Sequence, residues 1–354
     1  MGASATLVGG GVSERPKEHA SKACVGNTTV GSNPTATATV VPPRVHVNAG
    51  RRGLRGKTSP VTSPQRSAPV DGFSLSHRVH GDADAPAVVL LHGWPGSSAD
   101  YRAAVPLLAD RYRVVVPDLR GFGESDRHER DPDDGYRPAA QARSVAGLVE
   151  ELGLTQVVVG GYDVGSGVAR ALAGARPDLL RALAICPPVP GAGERILAAE
   201  QVGEWWYQFL HRLPLGPALL DGNRDAVASY LRHFWTHWSG PSYVLDEAEF
   251  ARLVDAYARP GAFTSSIQWY RAKNASTTSA ALASPPAPAD RIQVPTRVLW
   301  PEHDPLFPRA WADNVGQWFA DVEVDTVDGA GHFVPLEAPE AFAAHVDRAF
   351  AAGR

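Results

Sequence analysis

Six apolar runs separated by helical stretches constrain this chain more than any other feature of its sequence. PAVVLLHG (86–93), YRVVVPDL (112–119), QVVVGGY (156–162), LRALAICPP (180–188), TRVLWPE (296–302) and VEVDTVDG (322–329) read as strands. Helices are predicted between and after them, over 98–109, 137–152, 164–175, 309–319 and 339–351. Strands that alternate with helices and lack a polar face form a mostly parallel sheet with helices on both sides. The fold class is therefore α/β, with one departure: residues 189–290 break the alternation.

That stretch is rich in Trp, Tyr, Phe, Leu and Arg at helical spacing, as in EWWYQFLHRL and AVASYLRHFWTHW, and ends in the linker-like ALASPPAPAD (281–290). It reads as a helical cap inserted between two strands. The core then comprises 69–188 and 291–354. Residues 1–68 have few large apolar side chains and a Gly/Pro/Ser/Thr/Arg bias, so they are predicted to be a disordered tail. SERPKEHASKACVG and GSNPT within it resemble translated transfer-RNA gene sequence, which points to a start-site artefact. Met1 is the one methionine, leaving Val61 and Val70 as candidate starts.

Charge separates the same two parts. The tail holds nine basic residues against Glu14 and Glu18, while the remaining 25 basic residues face 36 acids. An acidic body argues against a nucleic-acid surface. No stretch nears the roughly 20 apolar residues of a membrane span, and the small, Gly-rich amino terminus does not have the form of a leader. Cys24 and Cys186 are too few and too far apart for a disulfide framework or metal cluster. The expectation is a cytoplasmic protein without metal or cofactor, monomeric or homodimeric.

The chemistry concentrates where strands end. Gly161-Tyr162-Asp163-Val164-Gly165 joins a strand to a helix and matches a nucleophile elbow, with Asp in the place of the usual Ser. A carboxylate there can attack carbon without prior deprotonation, favoured by the adjoining helix N-terminus. Asp is also a common helix cap, so this motif alone leaves both readings open. Leu90-Leu91-His92-Gly93-Trp94-Pro95-Gly96 ends an earlier strand, and the Trp94 and Val164 amides could form an oxyanion hole. Asp304 and His332 lie in loops after the last two strands, with Asp304 placed to orient His332 as a general base. His92 reads as structural and Cys186 as a buried thiol.

The order nucleophile, acid, base, together with HGWPG, resembles the α/β-hydrolase fold from about residue 70 onward, interrupted by the cap. Within that fold, the Asp-centred elbow, PDLRGFGESD (117–126) and Gln268-Trp269-Tyr270-Arg271 are most similar to epoxide hydrolases. The resemblance implies that two cap tyrosines donate to the epoxide oxygen. Tyr270 matches the second of them, and Tyr207, in Tyr207-Gln208, matches the first more loosely. Tyr230, Tyr243 and Tyr257 are the reserves, and Trp205, Trp206, Trp235 and Trp238 suggest an apolar cavity.

The function this implies is opening of a small apolar epoxide to a vicinal diol through an ester on Asp163. A haloalkane or haloacid dehalogenase with the same nucleophile is the alternative. It is weakened because Val164 stands where a halide-binding Trp is common and because Val164 to Gly167 supplies no Arg for a substrate carboxylate. Ser166 lies three residues beyond the elbow acid, which disfavours a serine esterase. A non-catalytic ligand-binding member of the fold is the reading from outside enzymology.

Overall fold

The computed structural model describes residues 63–273 and 277–353. The expected tail, with its artefact and start-site readings, therefore lies outside the described residues as far as residue 62. All six expected strands form: β3 (Ala87–Leu91), β4 (Arg113–Pro117), β5 (Val157–Gly161), β6 (Leu180–Ile185), β7 (Thr296–Pro301) and β8 (Val322–Val327). Every residue of β3, β5 and β7 is buried, which is why these runs carry no polar face.

Two strands precede them, β1 (Gln65–Arg66) and β2 (Ser76–His80). The sheet order is β1-β2-β4-β3-β5-β6-β7-β8, antiparallel through β1, β2 and β4 and parallel thereafter. The structured body thus starts earlier than the expected boundary after residue 68. Arg66 pairs with Asp126 and donates to the Glu124 carbonyl, and Ser67 Oγ accepts from the Leu75 amide, so this segment is tied down by polar contacts rather than by apolar burial.

Helices α1 (Pro138–Glu151) and α2 (Val164–Ala175) follow β4 and β5. The helix expected over 98–109 is split into Ser98–Tyr101 and Val105–Leu108. Pro106 has no amide to bond to the carbonyl four residues earlier, so the first turn cannot continue through it. The expected helix near 309 is a 3-10 helix, Arg309–Gln317.

Between β6 and β7 the chain is helical. It includes α3 (Trp206–Arg212), α4 (Arg224–His237) and α5 (Glu247–Tyr257). Asn223 caps α4 by accepting from the Ala226 amide, and Asp246 caps α5 by accepting from Ala248 and Glu249. Helix α4 buries Val227, Leu231, Phe234 and Trp235, one stripe at helical spacing. The stripe faces the loop after β3: the Trp235 indole donates to the Pro95 carbonyl at 3.1 Å, and from α5 the Tyr257 hydroxyl donates to the Gly96 carbonyl at 3.0 Å. The closing helix α6 (Pro339–Ala352) packs on β6 and β7. Among the described residues, no helix is long and apolar enough to cross a membrane.

Candidate active site

The loops at the carboxyl ends of β3, β5, β7 and β8 bring Trp94, Asp163, Asp304 and His332 together, the position where open α/β sheets hold their ligands. Asp163 has φ 49° and ψ −123°, a conformation rarely adopted by a residue with a side chain. The tight turn depends on its glycines. A Cβ on Gly165 would stand 1.9 Å from the Leu91 carbonyl oxygen, so only glycine lets α2 start this close to β3.

The capping reading of Asp163 does not match this geometry. Its side chain makes no bond to the first turn of α2. Instead Oδ1 accepts the Trp94 amide at 2.6 Å, and Oδ2 faces His332 Nε2 at 3.6 Å. Behind the imidazole, Nδ1 stands 2.9 Å from Asp304 Oδ2, whose partner oxygen accepts the Leu306 amide at 2.9 Å. Asp163, Asp304 and His332 are all buried. Burial disfavours the imidazolium, but the Asp304 carboxylate, with Asp163, outweighs it and raises His332 to about 10.

His92 sits as a structural residue. Its Nε2 accepts the Leu119 amide at 3.0 Å, which leaves the ring proton on Nδ1 to be donated to the Gly93 carbonyl at 2.9 Å. Ser166 Oγ lies within hydrogen-bond reach of the Gly161 and Cys186 carbonyls, at 2.9 and 2.5 Å. Burial pushes the Cys186 thiol up, away from reactivity.

Tyr207 and Tyr270 both line the cavity that reaches Asp163, about 400 Å³ in volume. Their rings meet edge-on at 5.6 Å, and Tyr207 lies flat on Trp94 with centroids 5.6 Å apart and 2° between planes. Burial first, then the Asp163 charge for Tyr207 and the Tyr207 hydroxyl for Tyr270, pushes both phenols well above the ordinary tyrosine value. They therefore stay protonated as donors. The Tyr270 hydroxyl is buried against that of Tyr207 without a well-aligned hydrogen bond, and the Trp94 indole N–H is buried without a partner. The reserve tyrosines are engaged elsewhere: Tyr230 with His211 Nε2 at 2.9 Å, Tyr243 with Arg102 and Tyr257 with Gly96.

The four tryptophans expected around a cavity divide. Trp205 lines it, whereas Trp235 stacks on Phe333 at 4.1 Å and Trp238 packs edge-on against His332 at 5.1 Å. Trp206 is 43% exposed, because its position on α3 faces away from the cavity. Two residues passed unnoticed in the sequence. Glu337 accepts the Gly240, Gly331 and Phe333 amides at 2.6 to 2.8 Å, clamping the His332 loop to the helical segment. Arg170, just beyond the elbow, lines the cavity. The order HFVPLE places Glu337 five residues after His332 and was the available signal for the first.

Residues 86–339 match the family model described as the alpha/beta hydrolase fold. The chain belongs to the α/β hydrolase fold family. This hydrolase is 32% identical over 283 residues to a soluble epoxide hydrolase of a Corynebacterium species, covering 77% of this chain and 92% of that one. It is 31% identical over 200 residues to a haloalkane dehalogenase of Bradyrhizobium diazoefficiens, covering 56% of this chain and 58% of the relative. The solved structure of epoxide hydrolase CorEH without ligand superimposes with a TM-score of 0.69 at 27% identity, covering 82% of this chain and 99% of that one. The match to the α/β hydrolase fold runs through both halves of the sheet and across the helical segment between them.

Proposed function

We propose that this hydrolase opens epoxides to vicinal diols through an ester on Asp163. The observation that carries the reading is the pair of phenols, Tyr207 and Tyr270, buried against each other in the cavity that also reaches Asp163. A buried donor held only in a poorly aligned contact is better satisfied when an oxyanion forms beside it.

Asp163 Oδ2 attacks a ring carbon and the C–O bond breaks, with Tyr270 and Tyr207 donating to the departing oxygen. Oδ1 becomes the ester carbonyl, already seated on the Trp94 amide. Esterification removes the negative charge on Asp163 that helps to hold the proton on His332. The imidazolium then gives its proton, through the phenols or water, to the new alkoxide. Neutral His332, oriented by Asp304, next takes a proton from water as its oxygen adds to the ester carbonyl. The Trp94 and Val164 amides stabilise the oxyanion, and collapse expels the diol and restores the carboxylate.

A dehalogenase is the second reading. The partnerless Trp94 indole N–H favours it as a halide donor, whereas Val164 provides no second indole. Styrene oxide and a panel of small haloalkanes separate the two by diol formation against halide release. In His332→Gln, the intact mass should increase by that of one styrene oxide molecule as the ester accumulates. Normal turnover by His332→Gln, or diol formation by Asp163→Ala, would sink the ester route.

A further inference from the structure

The cavity that reaches Asp163 also contains a cation with no counterion. Arg170 lies seven residues beyond Asp163, and seven residues bring an α-helix back to within about 20° of the same face. Its side chain folds back toward the start of α2: Nη2 lies 4.0 Å from where a Cβ on Gly167 would be, four residues and about one helical turn from Asp163. The absence of a side chain at Gly167 leaves that space to the guanidinium and to the Trp269 ring.

Among the described residues, Arg170 makes no hydrogen bond and no ion pair, and its Nε is buried without an acceptor. Arg120 shows how the same protein treats a buried guanidinium that serves structure. It donates to Ser144 Oγ, to the Gly135 and Val70 carbonyls and to Asp71. Around Arg170 the wall is instead largely apolar, with Val164, Ile196, Trp205, Trp269 and Phe307. Burial pulls Arg170 down to about 10, with no carboxylate near enough to offset it, and it remains ionised at neutral pH. Arg170 is half-buried with its Nε fully enclosed, so an unpaired cation there carries a desolvation cost that an arriving anion relieves.

We propose that the cavity takes substrates bearing a carboxylate, which Arg170 binds while the reacting carbon sits at Asp163. A single guanidinium matches one carboxylate in charge and fork geometry, whereas a phosphate dianion would need further donors. The identity of the reacting group rests on the epoxide reading above; the anion subsite does not. Residues Val164 to Gly167 supply no arginine, but one supplied from Arg170 reaches back over the same turn.

The test compares para-carboxystyrene oxide with styrene oxide in the wild type, Arg170→Gln and Arg170→Lys. The carboxylate epoxide should be preferred in kcat/KM by the wild type, chiefly through KM. Arg170→Gln should cut that preference by about tenfold or more, and Arg170→Lys, which keeps the charge but loses the fork, by less. Calorimetric binding of para-ethylbenzoate against para-ethylbenzamide reads the subsite without turnover. Tighter binding of the benzoate that is lost in Arg170→Gln upholds the subsite, even if neither epoxide is opened and the epoxide reading falls. Turnover of styrene oxide with a preference and a benzoate affinity that Arg170→Gln leaves unchanged overturns the subsite while the epoxide reading stands.

Discussion

The Trp94 amide donates to Oδ1 of Asp163 at 2.6 Å, joining the loop after β3 to the turn after β5. One carboxylate oxygen is thereby fixed and the other left facing His332, so the two oxygens of Asp163 have different surroundings. The closeness of the two loops depends on the glycine that follows. Gly165→Ala would place a methyl group 1.9 Å from the Leu91 carbonyl oxygen, backbone against side chain with nothing flexible to give. It should destabilise the fold by ~2–4 kcal/mol in urea denaturation. A change within about 0.5 kcal/mol would contradict this packing.

Tyr270→Phe separates catalysis from stability. Its hydroxyl has only a poorly aligned contact with Tyr207 to lose, so the variant should melt close to the wild-type temperature. Ester formation in a single turnover should nevertheless slow by about 10²-fold, the usual effect of losing one oxyanion donor. Parallel loss of stability and rate would instead make the phenol a packing group.

His332 gives the stability a defined pH dependence. Its pKa in the fold is about 10 against an ordinary 6.5, so the folded state binds its proton more tightly. The resulting stabilisation is complete below about 6.5 and is lost as the pH rises through about 10. The stability difference between wild type and His332→Gln, measured by denaturant midpoint, should shrink across that window. A difference that is flat from pH 6 to 10 would show that the Asp304 and Asp163 carboxylates do not hold the proton.

Asp100 acts in the opposite sense. It lies behind the elbow, where its Oδ2 accepts the Tyr162 hydroxyl at 2.6 Å and the Ser97 amide at 3.0 Å. Burial is the largest influence and raises its pKa from 3.8 to about 7, despite those hydrogen bonds. Between those values the folded state holds a proton that the unfolded chain has released, so stability falls as the pH rises. Asp100→Asn keeps an acceptor oxygen and does not titrate. Its melting temperature relative to wild type should climb from about pH 4 to pH 7 and then level off. A constant offset would indicate that Asp100 is already ionised throughout.

The strands that support the site were legible because burial on both faces leaves unbroken apolar runs, as in VVLL and VVVGG. SHRVH was not, because β2 is antiparallel beyond β4 and carries His77, Arg78 and His80, so no apolar run marks it. At the site, Asp163, Asp304 and His332 announced themselves by chain order and by their place after strands. Arg170 could not be read in the same way. Its significance lies in the lack of a partner, and only the packing of Trp269 and Phe307 around the cavity reveals that. The four tryptophans show the same limit: their spacing signalled burial for each, while Trp206 turned outward on α3.

Trp94 belongs to a sheet loop by its backbone and to the helical segment by its ring, which stacks on Tyr207 and meets Phe234, Trp238 and Tyr270 edge-on or at an angle. The roof is therefore not a detachable module. Grafting residues 189–290 from a relative would replace every aromatic neighbour of this indole and, through its peptide N–H, disturb the seat of the Asp163 carboxylate. Residue 94 has to travel with the transplanted segment, so specificity and reactivity in this scaffold are inherited together.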